Sequence, residues 1–332
     1  MNLTWKFAWL ILVFALLAGL TACKEEEDET TSDTMSGAVV YDIPYYVLRD
    51  ETVTMSASGI LFPNDVYYKW YVSGVYSDTL TGNPITVRFP DSLGVFRVSA
   101  HSYADGFYSL STVQEVTTID TTWNTSLTGL LRSAVSFTDE RDGRSYGYVT
   151  LGGLDWFSQN LAWQGAGIPF KASRSAAPLF GSFYTWDEAI GGEVCPEGWR
   201  VPTREDWESL SAAMNGGTPL DFYGNWTGLG VKASADVRLN DTRMWPYTPD
   251  NFHSNDFGWN AMPLGYTFAN ARSNDFTGVG SYGCWWTAEE KNADQAYYRY
   301  IYSERPDFPL SYTSKDDMRA AVRCVRTHPQ SL

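Results

Sequence analysis

The chain has 332 residues, a formal net charge of −15 and 16% aromatic residues, among them 14 tryptophans and 21 tyrosines. With this acidity and no run of Lys or Arg, a nucleic-acid phosphate backbone is excluded as a partner, because such binding rests on basic side chains releasing counterions. The first 22 residues hold one lysine, Lys6, then an apolar run and small residues ending at Cys23. That is the pattern of a secretory signal rather than of a core helix. The roughly 310 residues that follow predict two domains.

Leu20-Thr21-Ala22-Cys23 resembles the lipobox of bacterial lipoproteins. The resemblance implies cleavage after Ala22, with Cys23 as the lipidated N-terminus. Residues 23–36 then read "CKEEEDETTSDTMS". So polar and acidic a segment buries too little apolar surface to offset its ordering entropy, and it reads as a flexible tether. Lys24, Glu25 and Glu26 resemble the surface-export signal of Bacteroidetes lipoproteins. That resemblance implies a protein anchored by lipid in the outer membrane and facing the exterior; the residues alone also fit a solvated spacer. Losing Lys6 leaves the mature chain one charge more negative. Such acidity keeps it off anionic membrane surfaces and leaves the lipid as its anchor.

Residues 37–120 read as all-β. Short runs rich in Val, Thr and Tyr alternate with the turn signals "FPND", "TGNP", "PDSLG" and "ADG". In "GVFRVSAHSY", Phe96, Val98 and Ala100 fall on one face, with Arg97 and Ser99 on the other; Tyr68, Trp70 and Val72 form a second such face. This density of strands predicts a small β-sandwich with Trp70 in its core. Trp70 in a central strand, then Gly94 to Val98 before Asp105-Gly106, resembles polycystic-kidney-disease-type and immunoglobulin-like modules, which serve as spacers in cell-surface proteins.

A Thr/Ser-rich linker covers 121–136 and a second domain runs over 137–328, rich in Gly, Trp and Asn and poor in periodicity. Two helices are predicted in it. "SFYTWDEAIGG" has Trp186 and Ile190 four apart, and glycines to stop it. "PTREDWESLSAAMNGG" has Thr203 as N-cap with Asp206 three residues on, a stripe of Trp207, Leu210 and Met214, and Gly216-Gly217 as its end. A long loop-like insertion follows, and strands return in "QAYYRYIYS" and "MRAAVRCVR". The domain therefore reads as α+β. Of the four cysteines, Cys195, Cys284 and Cys324 are left once Cys23 takes the lipid, allowing one disulfide and one spare thiol in an oxidising compartment.

"FTDERDGRSYGYVTLGGLDWFSQNLAW" (137–163), "GSFYTWDEAIGGEVCPEGWRVPTREDWESL" (181–210), "NDFGWNAMPLGY" (255–266), "GCWWTAEE" (283–290) and "AVRCVR" (321–326) occur in that order. Together they resemble the Fibrobacter succinogenes major paralogous domain of secreted and surface proteins, which is similar in turn to the C-type-lectin-like fold. In that fold a Trp-and-acid helix precedes a "Gly-x-x-Leu-Pro-Thr"-like strand and a second helix. Trp186 to Ala189, Gly198 to Thr203 and Glu205 to Leu210 take these parts. The resemblance implies a disulfide between Cys195 and Cys324 and assigns Trp186, Trp199, Trp207, Trp285 and Trp286 to packing. Cys284 departs from the family pattern and is expected to be a buried small hydrophobe, with no His or Lys beside it to activate a thiol.

The acids of 197–208 do not point to catalysis. Glu205 and Glu208 share a helix face that Arg200 and Arg204 can pair with, and Glu205 favours the helix N-terminus. No nucleophile triad, P-loop or dinucleotide fingerprint is present. The histidines, His101, His253 and His328, lack zinc spacing. The repeated "SNDF" at 254–257 and 273–276 makes Asp256 and Asp275 the calcium candidates if a cation binds. The commoner use of such Asn and Asp side chains is to make turns, so no cofactor is expected. In the insertion, Trp226, Trp245, Tyr247, Phe252 and Trp259 are the candidate ligand-binding aromatics, with Trp259 inside a family motif and the least exposed of them. The sequence thus reads as a non-catalytic surface lipoprotein binding a glycan or a protein, accessory to an outer-membrane nutrient importer. The alternative is a structural subunit docked on an outer-membrane complex or adhesin, with no small ligand.

Overall fold

The computed structural model describes residues 33–120, 127–129, 133, 135–191, 193–248, 251–270 and 275–329. Cys23, Lys24, Glu25 and Glu26 lie outside the described residues, as does the signal segment. The described part is rich in strand throughout.

Eight strands build the two sheets of the first module: β1 (Val40–Asp42), β2 (Tyr46–Leu48), β3 (Thr52–Ser58), β4 (Tyr67–Val72), β5 (Leu80–Thr81), β6 (Ile85–Arg88), β7 (Gly94–Tyr103) and β8 (Leu110–Ile119). Asp33–Thr34 pairs in parallel with Phe107–Tyr108 and Met35 is buried, so the last residues of the expected tether are packed onto the module instead. One sheet runs β2-β8-β7-β4-β5 and the other β1-β3-β6. Alternation decides what lies between them. Met55, Trp70, Val72, Val98, Ala100 and Val116 are buried, whereas Lys69 and Arg97 point out. The Trp70 indole N–H donates to the Gly82 carbonyl at 2.9 Å, so even the largest core side chain is satisfied.

The second module has two larger sheets, beside a small one in which Leu127–Thr128 and Thr242–Arg243 flank Arg238–Leu239. β9 (Ser136–Thr138), β10 (Ser145–Leu151) and β11 (Leu154–Phe157) join the last strand, β18 (Val325–Thr327), in the order β9-β10-β11-β18. The larger sheet contains β12 (Ile168–Pro169), β13 (Ser182–Tyr184), β14 (Tyr282–Glu290), β15 (Gln295–Tyr302), β16 (Leu310–Ser314) and β17 (Met318–Ala321), in the order β12-β13-β17-β14-β15-β16. Four short helices complete it: α1 (Ala177–Phe180), α2 (Trp186–Gly191), α3 (Arg204–Met214) and α4 (Leu229–Ala233).

The start of α3 follows from its sequence. Thr203 accepts from the Asp206 N–H, and the Asp206 carboxylate accepts from the Thr203 N–H at 2.9 Å. Trp207, Leu210 and Met214 are buried beneath the helix. Its other side meets the β10–β11 turn, where both Gly152 and Gly153 have positive φ. A Cβ on Gly152 would lie 2.4 Å from the Ser209 carbonyl, so the close approach of turn and helix requires glycine. In α2, Trp186 is buried but Ile190 is 39% exposed. The buried partner of Trp186 in this six-residue helix is Ala189, not Ile190.

The two modules are packed against each other. Ile119, at the end of β8, belongs to the second module's core, and the Tyr46 ring lies 5.1 Å from that of Phe180. Hydrogen bonds run along the seam. The Tyr46 N–H donates to Ser173 at 2.9 Å, Ser175 donates to Glu51 at 2.6 Å, and Asn240 donates to the Thr118 carbonyl at 2.8 Å.

Candidate ligand-binding cleft

The insertion between α3 and β14 is folded inward. Trp226, Trp245 and Trp259, expected to offer a binding surface, are 2%, 0% and 0% exposed. Their placement corrects that expectation. Trp226 donates to the Asp221 carbonyl at 2.9 Å and Trp245 to the Ala261 carbonyl at 3.2 Å. Trp259 stands edge-on to Trp285, with ring centroids 4.8 Å apart. Burying an indole removes so much apolar surface from water that a loop-rich domain places these residues first in its core. Tyr247 and Phe252 do remain on the surface, 66% and 63% exposed.

Part of the insertion closes against the first module and leaves a cleft of about 570 Å³ between them. Leu93, Val95 and Tyr46 line one side; Asn240, Arg243 and Met244 line the other. The hairpin Arg238–Leu239/Thr242–Arg243 builds the second wall. Its two-residue turn places both Asn240 and Asp241 at positive φ, which this residue pair tolerates and which matches the twist of a tight hairpin. The cleft offers apolar surface at Leu93 and Val95, which are 37% and 61% exposed. Asn240 lines the cleft but is turned into the seam: its Nδ2 donates to the Thr118 carbonyl and its Oδ1 is buried. Arg243 is fixed beside it by Asp236, 3.0 Å away, and lies 5.3 Å from the ring centre of Tyr247. A concave, partly apolar hollow with a few placed polar groups is the usual form of a small-ligand site.

His253 lies behind this wall, stacked on Trp245 with centroids 4.8 Å apart and both ring nitrogens unpartnered. Burial pushes its imidazole down to about 4, helped by Arg243 and opposed by Asp236. The unfolded chain, with an ordinary imidazole near 6.5, takes up this proton first. His253 therefore contributes stability above about pH 6.5 that is lost as the pH falls towards 4. His253→Phe is expected to flatten the decline in unfolding free energy between pH about 7 and about 5, measured by denaturant titration. An unchanged slope would contradict the assignment.

A larger hollow, about 1030 Å³, is lined by 137–141 and 193–201. Its arginines are already engaged. Arg141 binds Asp139 and the carbonyls of Glu193 and Val194, and Arg200 pairs with Asp206 at 2.6 Å. The neighbouring acids are likewise structural in role: Glu205 accepts from the Thr203 hydroxyl at 3.0 Å, and Glu208 pairs with Arg204 at 3.0 Å. Cys195 and Cys324 are bonded, with Cα atoms 5.8 Å apart, next to Trp199. Cys284 is buried, and burial pushes its thiol well up. Asp256 and Asp275 are both exposed, and among the described residues no group of three His, Cys, Asp or Glu side chains could hold a metal ion.

No curated protein matches the chain. Among solved structures, the adhesin InvE of Yersinia pseudotuberculosis is similar at 12% identity over 88% of this chain and 70% of that one, with a TM-score of 0.25, too low to carry an argument. The model of the Fibrobacter succinogenes major domain matches residues 149–326, which cover the second module from the end of β10 to β18, with the whole insertion. The chain belongs to the Fibrobacter succinogenes major domain family.

Proposed function

We propose that this protein is a non-catalytic binding module, held at the outside of the cell by a lipid on Cys23, that takes a glycan or a protein segment into the cleft between its modules. The observation that carries the reading is the cleft itself, with exposed Val95 on one wall and the fixed Arg243 on the other. The order of α2, α3 and the strands after the insertion supports a C-type-lectin-like layout, in which the cleft lies on the loop face. The sandwich before it supports the spacer role of polycystic-kidney-disease-type or immunoglobulin-like modules. The acidic tether fits surface display, and capture for an outer-membrane nutrient importer fits such a display. No metal is required by this reading.

The test is a glycan and protein array followed by calorimetry on the full chain, with calcium and with a chelator. Arg243→Ala and Val95→Asp are each expected to weaken the ligand found at least tenfold, about 1.4 kcal/mol, with the melting temperature unchanged. Wild-type affinity in both variants would overturn the cleft as the site.

A further inference from the structure

The first module carries an apolar tip at the place where the chain arrives from Cys23. The Asp33 N–H donates to the Gly106 carbonyl at 3.0 Å, the Ser36 N–H to the Phe62 carbonyl at 3.0 Å, and the Leu61 N–H to the Ser36 carbonyl at 2.9 Å. The segments that receive the chain are themselves exposed and apolar. Leu61, at 77%, is the most exposed large apolar side chain among the described residues, and Tyr108, Phe62 and Tyr67 are 63%, 54% and 54% exposed. They are linked by ring contacts: Phe62 lies 5.4 Å from Phe107, the neighbour of Tyr108, and Tyr67 stacks on Tyr103 at 5.6 Å. We propose that this tip enters the headgroup region of the bilayer that holds the lipid on Cys23, so that the protein stands on the membrane tip down.

The inference rests on the lipid-anchor reading, and the length of chain before the tip supports the occupant. Asp33 is ten residues on from Cys23, and a chain of that length reaches at most about 35 Å. A lipid on Cys23 therefore holds the tip close to a bilayer, at an effective concentration where a weak contact suffices. The side chains suit such an interface. Leu61 and Phe62 are apolar throughout, and Tyr67, Tyr103 and Tyr108 join an apolar ring to a hydroxyl for the wet side. The cleft lies at the other end of the same strand. β7 has Tyr103 at the tip and Gly94 in the cleft wall, and its ten residues span about 33 Å. A tip seated on the membrane thus holds the cleft away from it, facing outward.

Charge selects the bilayer. Asp33, Asp65 and Asp105 are exposed around the tip, and Lys69 lies over the Tyr103 ring, 5.0 Å from its centre. Three carboxylates oppose an anionic surface, whereas the ammonium groups of ethanolamine and choline headgroups can pair with them.

Nitroxide labelling of the lipidated full chain in phosphatidylethanolamine/phosphatidylcholine vesicles tests this. An added cysteine is the thiol open to the label, since Cys23 carries the lipid, Cys195 and Cys324 are bonded and Cys284 is buried. Flotation comes first: protein that does not travel with the vesicles overturns the anchor, and the proposal with it. In floated protein, labels at Leu61→Cys and Tyr108→Cys are expected to favour collision with oxygen over an aqueous nickel chelate at least about threefold more than a label at Tyr223→Cys, an exposed site on the second module. Phosphatidylglycerol in the vesicles should lower that ratio, and so should Leu61→Asp at the Tyr108→Cys label, with the melting temperature unchanged. Floated protein whose three labels meet the chelate equally would overturn the tip and leave the anchor standing. Labels at 61 and 108 shielded from both reagents would overturn it as well, because that is the sign of a covering protein.

Discussion

Replacing Arg323 by methionine is expected to cost about 3–5 kcal/mol of stability, the largest loss from a single substitution in the second module. Arg323 lies between β17 and β18 and is fully buried. Its Nε donates to Asn160 Oδ1 at 2.9 Å, one terminal nitrogen to the Phe157 carbonyl at 3.0 Å and to that of Trp259, and the other to the Asn260 carbonyl at 2.9 Å. The guanidinium also lies 4.5 Å from the centre of the Trp259 ring. One side chain thus ties the last strands, the segment after β11 and the insertion together. Burial lowers its pKa to about 9, which still leaves it protonated at neutral pH. Methionine fills the space but leaves these acceptors buried with a donor removed, and each such group costs about 1–3 kcal/mol. Lysine should not rescue, because its donors radiate from one atom and cannot reach carbonyls spread around a plane. Denaturant titration of both variants checks this. A loss below about 1 kcal/mol in either would show that the insertion is held by its tryptophans alone.

Removal of the Cys195–Cys324 bond is the second large effect. The bond links residues 129 apart in sequence, and closing so long a loop in the unfolded chain corresponds to about 3–5 kcal/mol. Both sulfurs sit in the cluster of Trp199, Phe157 and Tyr146, so the change leaves small polar groups among aromatics if serine replaces them. Cys195→Ala/Cys324→Ala isolates the loop term. It is expected to lower the denaturant midpoint of the oxidised protein to that of the reduced wild type. Equal midpoints for oxidised and reduced wild type would contradict this. Cys284 should stay unreactive to a thiol reagent until unfolding, since its buried thiol has little thiolate character.

How much of this was readable in advance depended on periodicity. The alternation of Phe96, Val98 and Ala100 and the capping box of Thr203 and Asp206 are local signals, and the structure places these residues accordingly. The insertion has no period to read, so exposure could not be assigned from it. Trp245 and Trp259 find their places only through distant neighbours, Ala261 and Trp285, and no local pattern marks them or Trp226 as buried. Asn240-Asp241 forms a two-residue hairpin turn, the commoner use of such side chains. The cleft is a product of tertiary structure. It needs β7 and β8 of one module to meet a hairpin of the other. That spacing does not exist in the chain before folding.

The central claim, that ligand enters between the modules, is tested most directly by hydrogen exchange of the full chain with and without the ligand identified by array. Bound ligand is predicted to slow exchange at 93–95 and 239–244, the two walls of the cleft. Protection confined to 137–141 and 193–201, the walls of the larger hollow, would contradict it.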